Sequence, residues 1–390
     1  MNATLAAILM TAAQDKGRVS GLTHNFYRYP ARFSPEFARA VINNMSEPGD
    51  IILDPYMGGG TTIVEALAAG RNAYGVDLNA LAVFITRVKT TFLSKRNAEE
   101  IWDWVERSCK AMTFRAKDPR IERVLDDDKL VNMTLPKARP IKKAIASAMV
   151  EISPYFDDRT QNFIRCVLLR TGQWALDGRT HVPSLDEVRL KVRLFTAEML
   201  RSLDELRITH ADHSEGKITC RLLESDTATV NAQTVFRNNA KKADLIVTSP
   251  PYPGLHVLYH RWQINGRRET PAPYWIANCH NGRGATFYNF SDRKGVGLEK
   301  YFRVSLNTLK SIRPLIRDGG MIVQLIAFSH PEEQLQIYLE NMKTAGFKEI
   351  IPHGKSSDRI WRDVPSRKWH ATLKGHTGGS KEVLLVHQAV

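Results

Sequence analysis

The sequence is poor in cysteine and contains no long hydrophobic run. Its four cysteines, Cys109, Cys166, Cys220 and Cys279, are each more than fifty residues apart and form no CxxC pair. This spacing is typical of a reducing cytoplasm and argues against a structural metal. No apolar stretch approaches the roughly 18 residues that a membrane-spanning helix needs. The short apolar stretch near the N-terminus lacks a preceding basic segment, so we interpret it as a helix rather than a signal peptide.

The composition is otherwise that of an ordinary globular chain, but its charge is unevenly distributed. The 390 residues are 43% hydrophobic and 25% charged, which excludes a disordered or collagen-like chain and leaves room for two or three domains. Residues 253–390 hold 20 basic and 11 acidic residues, so most of the formal net charge of +14 lies in the last third. Such a concentration is typical of a polyanion-binding surface. A solvated basic surface that favours solubility is the alternative.

A βαβ unit is predicted in the first quarter of the chain. Residues 51–53 predict a strand, residues 56–62 a glycine-rich turn and residues 63–69 a helix. A second strand is predicted over residues 73–76 and ends at Asp77. This order predicts a parallel, doubly wound α/β sheet.

The glycine-rich turn is typical of a nucleoside-type ligand. Gly58 and Gly60 are followed by Ile63, where a dinucleotide fingerprint has a third glycine, and no Gly-Lys-Ser/Thr follows. We therefore expect neither a nicotinamide nor a flavin nor a phosphate loop. Asp77 is placed to accept hydrogen bonds from ribose hydroxyls, and Asp226, after the third strand, from an adenine amino group. A tight loop without a ligand is the alternative.

The sheet pattern is interrupted and then resumes. Residues 95–215 predict a helical insertion with nearly balanced charge, in which Ser184 and Glu187 have the spacing of a capping box. Residues 255–297 are rich in aromatics, arginine and glycine without clear periodicity. The remaining predicted elements are strands over residues 218–223 and 244–247, a helix over 301–316, a break at Gly319-Gly320, a strand over 321–326, a helix over 332–345, and strands near 348–351 and 383–387.

The turn Thr248-Ser249-Pro250-Pro251-Tyr252 is the strongest chemical signal in the chain. Its two prolines fix φ and remove two N–H donors, so the turn presents acceptor oxygens. An exocyclic amino group of a nucleobase is a poor nucleophile, because its lone pair is delocalised into the ring. The Ser249 hydroxyl and the Pro250 carbonyl, by accepting its two hydrogens, would favour a tetrahedral nitrogen that can attack a cationic sulfonium methyl donor. Tyr252 offers a flat face for an extruded base, whereas a plain surface turn is the alternative.

Three segments together resemble a known family. They are residues 54–62 (DPYMGGGTT), residues 248–252 (TSPPY) and residues 24–35 (HNFYRYPARFSP). They are similar to the cofactor loop, the catalytic turn and the segment that closes over the methionine end of the cofactor in the S-adenosylmethionine-dependent DNA amino-methyltransferases. This family methylates cytosine N4 or adenine N6, and a serine before Pro-Pro-Tyr is associated with cytosine.

The resemblance implies a Rossmann-like class I methyltransferase sheet, and the large helical insertion in this chain departs from the family's usual motif order. Residues 1–94 and 216–390 would form the catalytic domain, and residues 95–215 the insertion, which becomes a candidate for target recognition. Residues 255–297 would face double-stranded DNA. The implied activity is transfer of a methyl group from S-adenosyl-L-methionine to cytosine N4 in the cytoplasm, on a base extruded from the duplex.

The residues that we expect to carry this activity fall into three groups. The catalytic residues are Ser249, Pro250, Pro251 and Tyr252. The cofactor-binding residues are Tyr29, Phe33, Asp54, Tyr56, Gly58, Gly60, Thr61, Thr62, Asp77, Asp226 and Thr248. The DNA-binding residues are Arg261, Arg267, Arg268 and Arg283, and a second basic and aromatic cluster comprises Lys355, Arg359, Trp361, Arg362, Arg367, Lys368 and Trp369. No metal is expected, because neither carboxylate nor cysteine completes a site with His256 and His260.

Several alternatives stay open. Within the same chemistry they are adenine-N6 methylation of DNA and methylation of an RNA base amine. A non-catalytic nucleic-acid-binding protein on the same scaffold is a third, although its catalytic turn and cofactor loop would be expected to be damaged. The sequence leaves open whether a cognate restriction endonuclease or another defence system accompanies the protein.

Overall fold

A mixed sheet of eight strands lies at the centre of the structure. The computed structural model describes residues 2–15, 17, 19–28, 34–115, 118–179, 181–213, 218–232, 241–253, 261–265, 268–280, 291, 295–351, 358–363 and 381–390. The strands in these residues are β1 (Ile51–Asp54), β2 (Asn72–Asp77), β3 (Cys220–Glu224), β4 (Ala243–Thr248), β5 (Trp262–Asn265), β6 (Arg268–Thr270), β7 (Ile316–Ile326), β8 (Phe347–Glu349), β9 (Ile360–Asp363) and β10 (Lys381–Ala389). All except β5 and β6, which pair with each other, belong to the central sheet.

Helices surround this sheet and fill the insertion. The α-helices in the described residues are α1 (Ala3–Ala13), α2 (Pro35–Met45), α3 (Thr61–Ala68), α4 (Ala80–Thr90), α5 (Lys95–Ala111), α6 (Pro119–Leu125), α7 (Ala138–Val150), α8 (Asp158–Leu176), α9 (Leu185–His213), α10 (Ala272–Ala277), α11 (Val296–Ile312) and α12 (Pro331–Thr344). No described helix combines the length and apolarity that crossing a membrane requires. The predicted N-terminal helix is confirmed as α1.

The order of the strands creates a switch point at the centre of the sheet. The parallel strands run in the order β3-β2-β1-β4-β7, and β10 pairs antiparallel with β7, β8 and β9. The chain therefore moves outward in one direction after β1 and in the other direction after β4. In such sheets ligands bind outside the carboxyl ends of the two strands at which the order reverses. The turns after β1 and β4 meet at this edge.

Strand β7 differs from its prediction. It begins at Ile316 and runs through Gly319-Gly320, where a break was predicted, and α11 ends at Ile312 rather than continuing to residue 316. The register of the pairing between β4 and β7 shifts between Ala243 and Leu245 of β4. The two glycines lie within one strand whose pairing is irregular. Sequence alone does not distinguish such an irregularity from a turn.

The helical insertion and the segment after the catalytic turn share one hydrophobic core. Helices α5 to α9 contribute buried side chains such as Trp104 and Phe163, and β5 and α10 contribute Trp262, Tyr274 and Trp275. The described part of residues 255–297 thus contains regular elements, although its sequence shows no clear periodicity. Elements of three to six residues are too short to show periodicity, and their burial against a distant segment is not visible in sequence.

The start of α9 agrees with its predicted cap. The Glu187 amide donates to the Ser184 hydroxyl at 3.2 Å, and the Ser184 amide donates to the Glu187 carboxylate at 2.7 Å. These two bonds satisfy amides that the helix itself leaves without partners. The predicted capping box is confirmed.

Candidate active site

Asp54 links the two strand ends at the switch point. Its carboxylate Oδ1 accepts hydrogen bonds from the Thr248 hydroxyl at 2.6 Å and from the Tyr56 amide at 3.1 Å. The residue is only 2% exposed, and this burial raises the pKa of Asp54 to about 6, although the bond from Thr248 lowers it in part. The turn after β1 and the turn after β4 are thus joined by a direct side-chain hydrogen bond.

The glycine turn is fixed by an acid from the next strand. The Gly58 amide donates to Asp77 Oδ2 at 2.8 Å, and the Asn79 amide donates to Asp77 Oδ1 at 2.8 Å. Burial raises the pKa of Asp77 to about 6. Gly60 is the N-cap of α3 at φ +76°, where a Cβ atom would lie 2.6 Å from Thr86 Oγ1, so glycine is required there.

A buried lysine supports this turn and was not predicted. Lys89 of α4 is fully buried, and its ammonium group donates to the Gly59 carbonyl oxygen at 2.6 Å. A lysine in the last turn of a helix usually points into solvent and interacts with the helix dipole. No signal in the sequence therefore separates Lys89 from an ordinary surface lysine.

The turn at residues 248–252, which was predicted to be catalytic, is held by side chains from distant elements. The Ser249 hydroxyl lies 3.1 Å from the Tyr252 hydroxyl, and Tyr252 donates to the Glu382 carboxylate at 2.5 Å. The buried Tyr301 of α11 donates to the Pro251 carbonyl oxygen at 3.0 Å. Burial and the negative charge of Glu382 raise the pKa of Tyr252 well above its ordinary value, so its hydroxyl stays protonated. Ser249 and Tyr252 are both partly exposed.

The threonines that were predicted to bind the cofactor face the protein interior. Thr62 is fully buried, and its hydroxyl donates to the Val247 carbonyl oxygen at 3.1 Å. Thr61, the first residue of α3, is also buried. Together with Thr248, which bonds Asp54, they hold the turn together, and any role towards a ligand stays a prediction.

Tyr56 and Asp226 interact electrostatically with each other. The Tyr56 hydroxyl forms hydrogen bonds with Thr227 and Thr308, and the negative charge of Asp226 acts on it, although burial is the main reason that the pKa of Tyr56 is raised. Asp226 is exposed, and its Oδ1 atom accepts from the Ala228 amide at 2.9 Å. Tyr29 and Phe33 lie outside the described residues.

The segment that precedes residues 29–33 is tied to the strand after the catalytic turn. Asp177, at the end of α8, accepts from the Gln263 amide and from the Arg28 guanidinium, both at 3.1 Å. The Trp262 indole N–H donates to the Tyr27 hydroxyl at 2.9 Å, and both groups are fully buried. The insertion thus connects the segment that was predicted to close over the cofactor with the segment that was predicted to face DNA.

The structure describes two of the four predicted DNA-binding arginines, Arg261 and Arg268. Arg268 is exposed on β6, and Arg261 is partly buried with a guanidinium nitrogen 4.0 Å from the Glu269 carboxylate. Arg267, Arg283, His256 and His260 lie outside the described residues. In the second cluster, Arg359 and Arg362 form ion pairs with Glu349 and Glu382, which removes these two arginines from a DNA-facing surface.

The donor set fits a nucleoside-type cofactor. The edge presents a glycine turn at a helix N-terminus, a partly exposed carboxylate at Asp77 and an exposed carboxylate at Asp226. Carboxylates at successive strand ends suit hydroxyl and amino donors. With the mostly parallel sheet, this arrangement defines a class I methyltransferase fold.

Comparison with known proteins agrees with this class. Residues 10–86 match the DNA methylase family. Type II methyltransferase M.MvaI of Kocuria varians is 23% identical over 246 residues, which are 59% of this chain and 53% of that protein. DNA adenine methyltransferase YhdJ of Escherichia coli strain K12 is 31% identical over 87 residues, which are 22% of this chain and 30% of that protein. The chain thus spans about half of one relative's length and less than a third of the other's. These matches support an amino-methyltransferase of the N4/N6 family, with S-adenosylmethionine as its cofactor.

The solved structures that align with this chain share little sequence with it. The rRNA methyltransferase aviRa from Streptomyces viridochromogenes aligns over 96% of both chains, with 10% identity and a TM-score of 0.35. TrmN from Thermus thermophilus aligns over 92% of this chain and 49% of that one, with 12% identity and a TM-score of 0.33. The fold assignment rests on the strand order of the chain itself.

Proposed function

We propose that the protein methylates the N4 amine of cytosine in double-stranded DNA, using S-adenosylmethionine. The observation that carries this proposal is the hydrogen bond between Thr248 and Asp54, at 2.6 Å. It joins the acceptor-rich turn at Ser249 to the glycine turn expected to hold the cofactor. A transfer reaction requires that its two reactants meet at one place, and this bond brings their two turns together.

The residues at the glycine turn would hold the cofactor. Asp77 would accept from ribose hydroxyls, Asp226 from the adenine amino group, and the turn around Gly58 would let the ligand approach the backbone. The cofactor supplies a methyl group on a positively charged sulfur, which is an excellent leaving group. No strong base is therefore needed to activate the amine.

The catalytic turn would prepare the amine for attack. The Ser249 hydroxyl and the Pro250 carbonyl would accept its two hydrogens and free its lone pair from the ring. Tyr252 would stack on the base once it has left the duplex, because the target nitrogen is inaccessible inside it. A serine at position 249 favours cytosine N4, in keeping with the family resemblance.

We propose that the DNA lies against a surface built from two parts of the chain. Helices α5 to α9 and the segment containing β5, β6 and α10 share one core, so the insertion and the post-catalytic segment would move and bind as one unit. The excess positive charge of residues 253–390 favours contact with phosphates. We propose that the substrate DNA is in the cytoplasm, and a cognate restriction endonuclease is the further partner to test.

Adenine-N6 methylation is the second candidate. The match to YhdJ, which is named a DNA adenine methyltransferase, favours it. Both reactions need the same acceptor pair and the same methyl donor. They differ in the shape of the pocket that receives the extruded base.

One experiment separates these candidates. The protein is incubated with labelled S-adenosylmethionine and plasmid DNA, the DNA is digested to nucleosides, and the labelled nucleoside is identified. We expect N4-methylcytosine. Labelled N6-methyladenine would select the second candidate. A parallel incubation with total RNA in place of the plasmid tests the RNA alternative, and label in that RNA without label in DNA would select an RNA substrate. Cofactor binding without transfer to any nucleic acid would identify a non-catalytic protein.

A further inference from the structure

We infer that Glu382 is a positioning residue that sets the direction of the hydrogen bond between Ser249 and Tyr252. Its carboxylate Oε1 lies 2.5 Å from the Tyr252 hydroxyl, which lies 3.1 Å from the Ser249 hydroxyl. Glu382 lies on β10, 130 residues from Tyr252 along the chain. This inference rests on the proposed role of Ser249 as an acceptor for the amine.

The carboxylate is fixed as an acceptor by its own ion pair. Arg362 of β9 is the cross-strand partner of Glu382, and its Nε atom donates to Glu382 Oε2 at 2.6 Å. Both residues are about 95% buried, and Arg362 also donates to the Ala13 carbonyl oxygen at 3.0 Å. Because Oε2 already accepts from the guanidinium, Oε1 is left as the acceptor for the Tyr252 hydroxyl.

The direction of the remaining bonds then follows from counting hydrogens. The tyrosine hydroxyl has one hydrogen, and the short contact with Glu382 takes it in preference to the Leu325 carbonyl oxygen, which is 3.4 Å away. Tyr252 must therefore accept from Ser249, whose single hydrogen is used in that bond. The lone pairs of the Ser249 oxygen are left to accept from a substrate N–H group.

This direction matters for the proposed chemistry. A serine hydroxyl that is free to rotate can donate its hydrogen to the amine nitrogen, which would occupy the lone pair that has to attack the methyl group. With its hydrogen held by Tyr252, Ser249 can act only as an acceptor towards the amine. Glu382 would thus act through two hydroxyls without touching the substrate.

The first test compares two glutamates in similar surroundings. Glu382→Gln removes the fixed acceptor, because an amide can donate to Tyr252 as well as accept from it. Glu349→Gln is the matched control, since Glu349 pairs with Arg359 at 2.7 and 2.8 Å and, among the described residues, forms no hydrogen bond with the turn at residues 248–252. We expect Glu382→Gln to lower kcat by about tenfold or more with KM for DNA unchanged, and Glu349→Gln to leave kcat unchanged.

The second test keeps the ion pair intact. Tyr252→Phe retains the ring for stacking and leaves Glu382 paired with Arg362, so it stays informative even where Glu382→Gln fails to fold. We expect Tyr252→Phe to lower kcat as Glu382→Gln does, and the double variant to lose no more than either single variant. Thermal unfolding and calorimetric binding of S-adenosylmethionine serve as controls for folding.

The outcomes separate this inference from the proposed function. Near-normal turnover in a Ser249→Ala variant would overturn the role of the serine itself, and the inference with it. Loss of activity in Ser249→Ala, with full kcat in Tyr252→Phe, would overturn the inference alone. Additive losses in the double variant would also overturn it, because they would show that Glu382 and Tyr252 act independently.

Discussion

The two turns that meet at the ligand edge of the sheet are built in different ways. The turn after β1 is rich in glycine and is held by hydrogen bonds to its main chain, from Gly58 to Asp77 and from Lys89 to the Gly59 carbonyl. The turn after β4 is stiffened by two prolines and is held by the side chains of Tyr301 and Tyr252. Glycine lets a ligand approach the backbone closely, whereas proline leaves only acceptors. One turn is suited to binding and the other to directing a reactive amine.

The largest effect is expected in the proline turn. Ser249→Ala removes the proposed acceptor for the amine but leaves the fold intact, because the side chain is small and partly exposed. We expect methyl transfer to fall by about 100-fold or more, while the affinity for S-adenosylmethionine stays unchanged. Labelled-methyl transfer to plasmid DNA and calorimetry provide the two measurements. A variant that kept both turnover and affinity would show that the reaction takes place without this turn.

The glycine turn should respond in stability rather than in chemistry. Gly60→Ala places a Cβ atom 2.6 Å from Thr86 Oγ1 at a φ of +76°. We expect the free energy of unfolding to fall by about 3 kcal/mol and cofactor binding to weaken, because left-handed strain and overpacking add. Chemical denaturation and calorimetry measure the two effects.

Gly49 provides the control for this variant. Its φ is +88°, but a Cβ atom there would have no neighbour within 4 Å. Gly49→Ala should therefore cost only the strain, about 1 kcal/mol, and leave cofactor affinity unchanged. Equal losses in the two variants would mean that the packing of Gly60 against Thr86 contributes nothing.

Sequence predicted those parts of this comparison that depend on local chemistry. The glycine turn, the proline turn and the acid at Asp77 are visible as short motifs, because each depends on neighbouring residues. Glu382 and Lys89 are not visible in this way, since their roles come from the packing of distant strands and helices. The pairing of β5 with β6 was missed for the same reason, and the irregular glycines of β7 were misread as its boundary.

Cofactor binding at the glycine turn should depend on pH. Burial raises the pKa of Asp77 from an ordinary 3.8 to about 6. Because a protonated carboxyl is a poorer acceptor, we expect the dissociation constant for S-adenosylmethionine to rise as the pH falls below about 6. Asp77→Asn should weaken binding by about tenfold at pH 7.5 and remove this dependence. Calorimetry at several pH values measures both effects.

The same shift has a consequence for stability, with a fixed sign. A carboxyl whose pKa is higher in the folded state favours folding when protonated, so the free energy of unfolding should fall as the pH rises from about 4 to about 6. Asp54, with a pKa of about 6, contributes in the same range. Asp77→Asn should therefore reduce this fall in the free energy of unfolding without abolishing it.

Asp318 provides the control for cofactor affinity. It is an exposed acid of β7 whose pKa is lowered by Arg313, and Asp318→Asn should leave cofactor affinity unchanged. A cofactor affinity that is flat with pH in the unmodified protein would remove Asp77 from the binding site.

The smallest effect is expected where the protein meets the DNA backbone. Arg268 is exposed on β6, in the segment that follows the proline turn. If Arg268 contacts one phosphate, Arg268→Ala should weaken DNA binding evenly across sequences. It should also reduce the steepness of the slope of log K against the logarithm of salt concentration by about one. Lys343→Ala, which removes an exposed cation from the last turn of α12, is the control and should leave that slope unchanged. Fluorescence anisotropy at several salt concentrations measures the slope. Equal slopes in the two variants would exclude β6 from the DNA surface, and the basic charge of this region would then serve solubility.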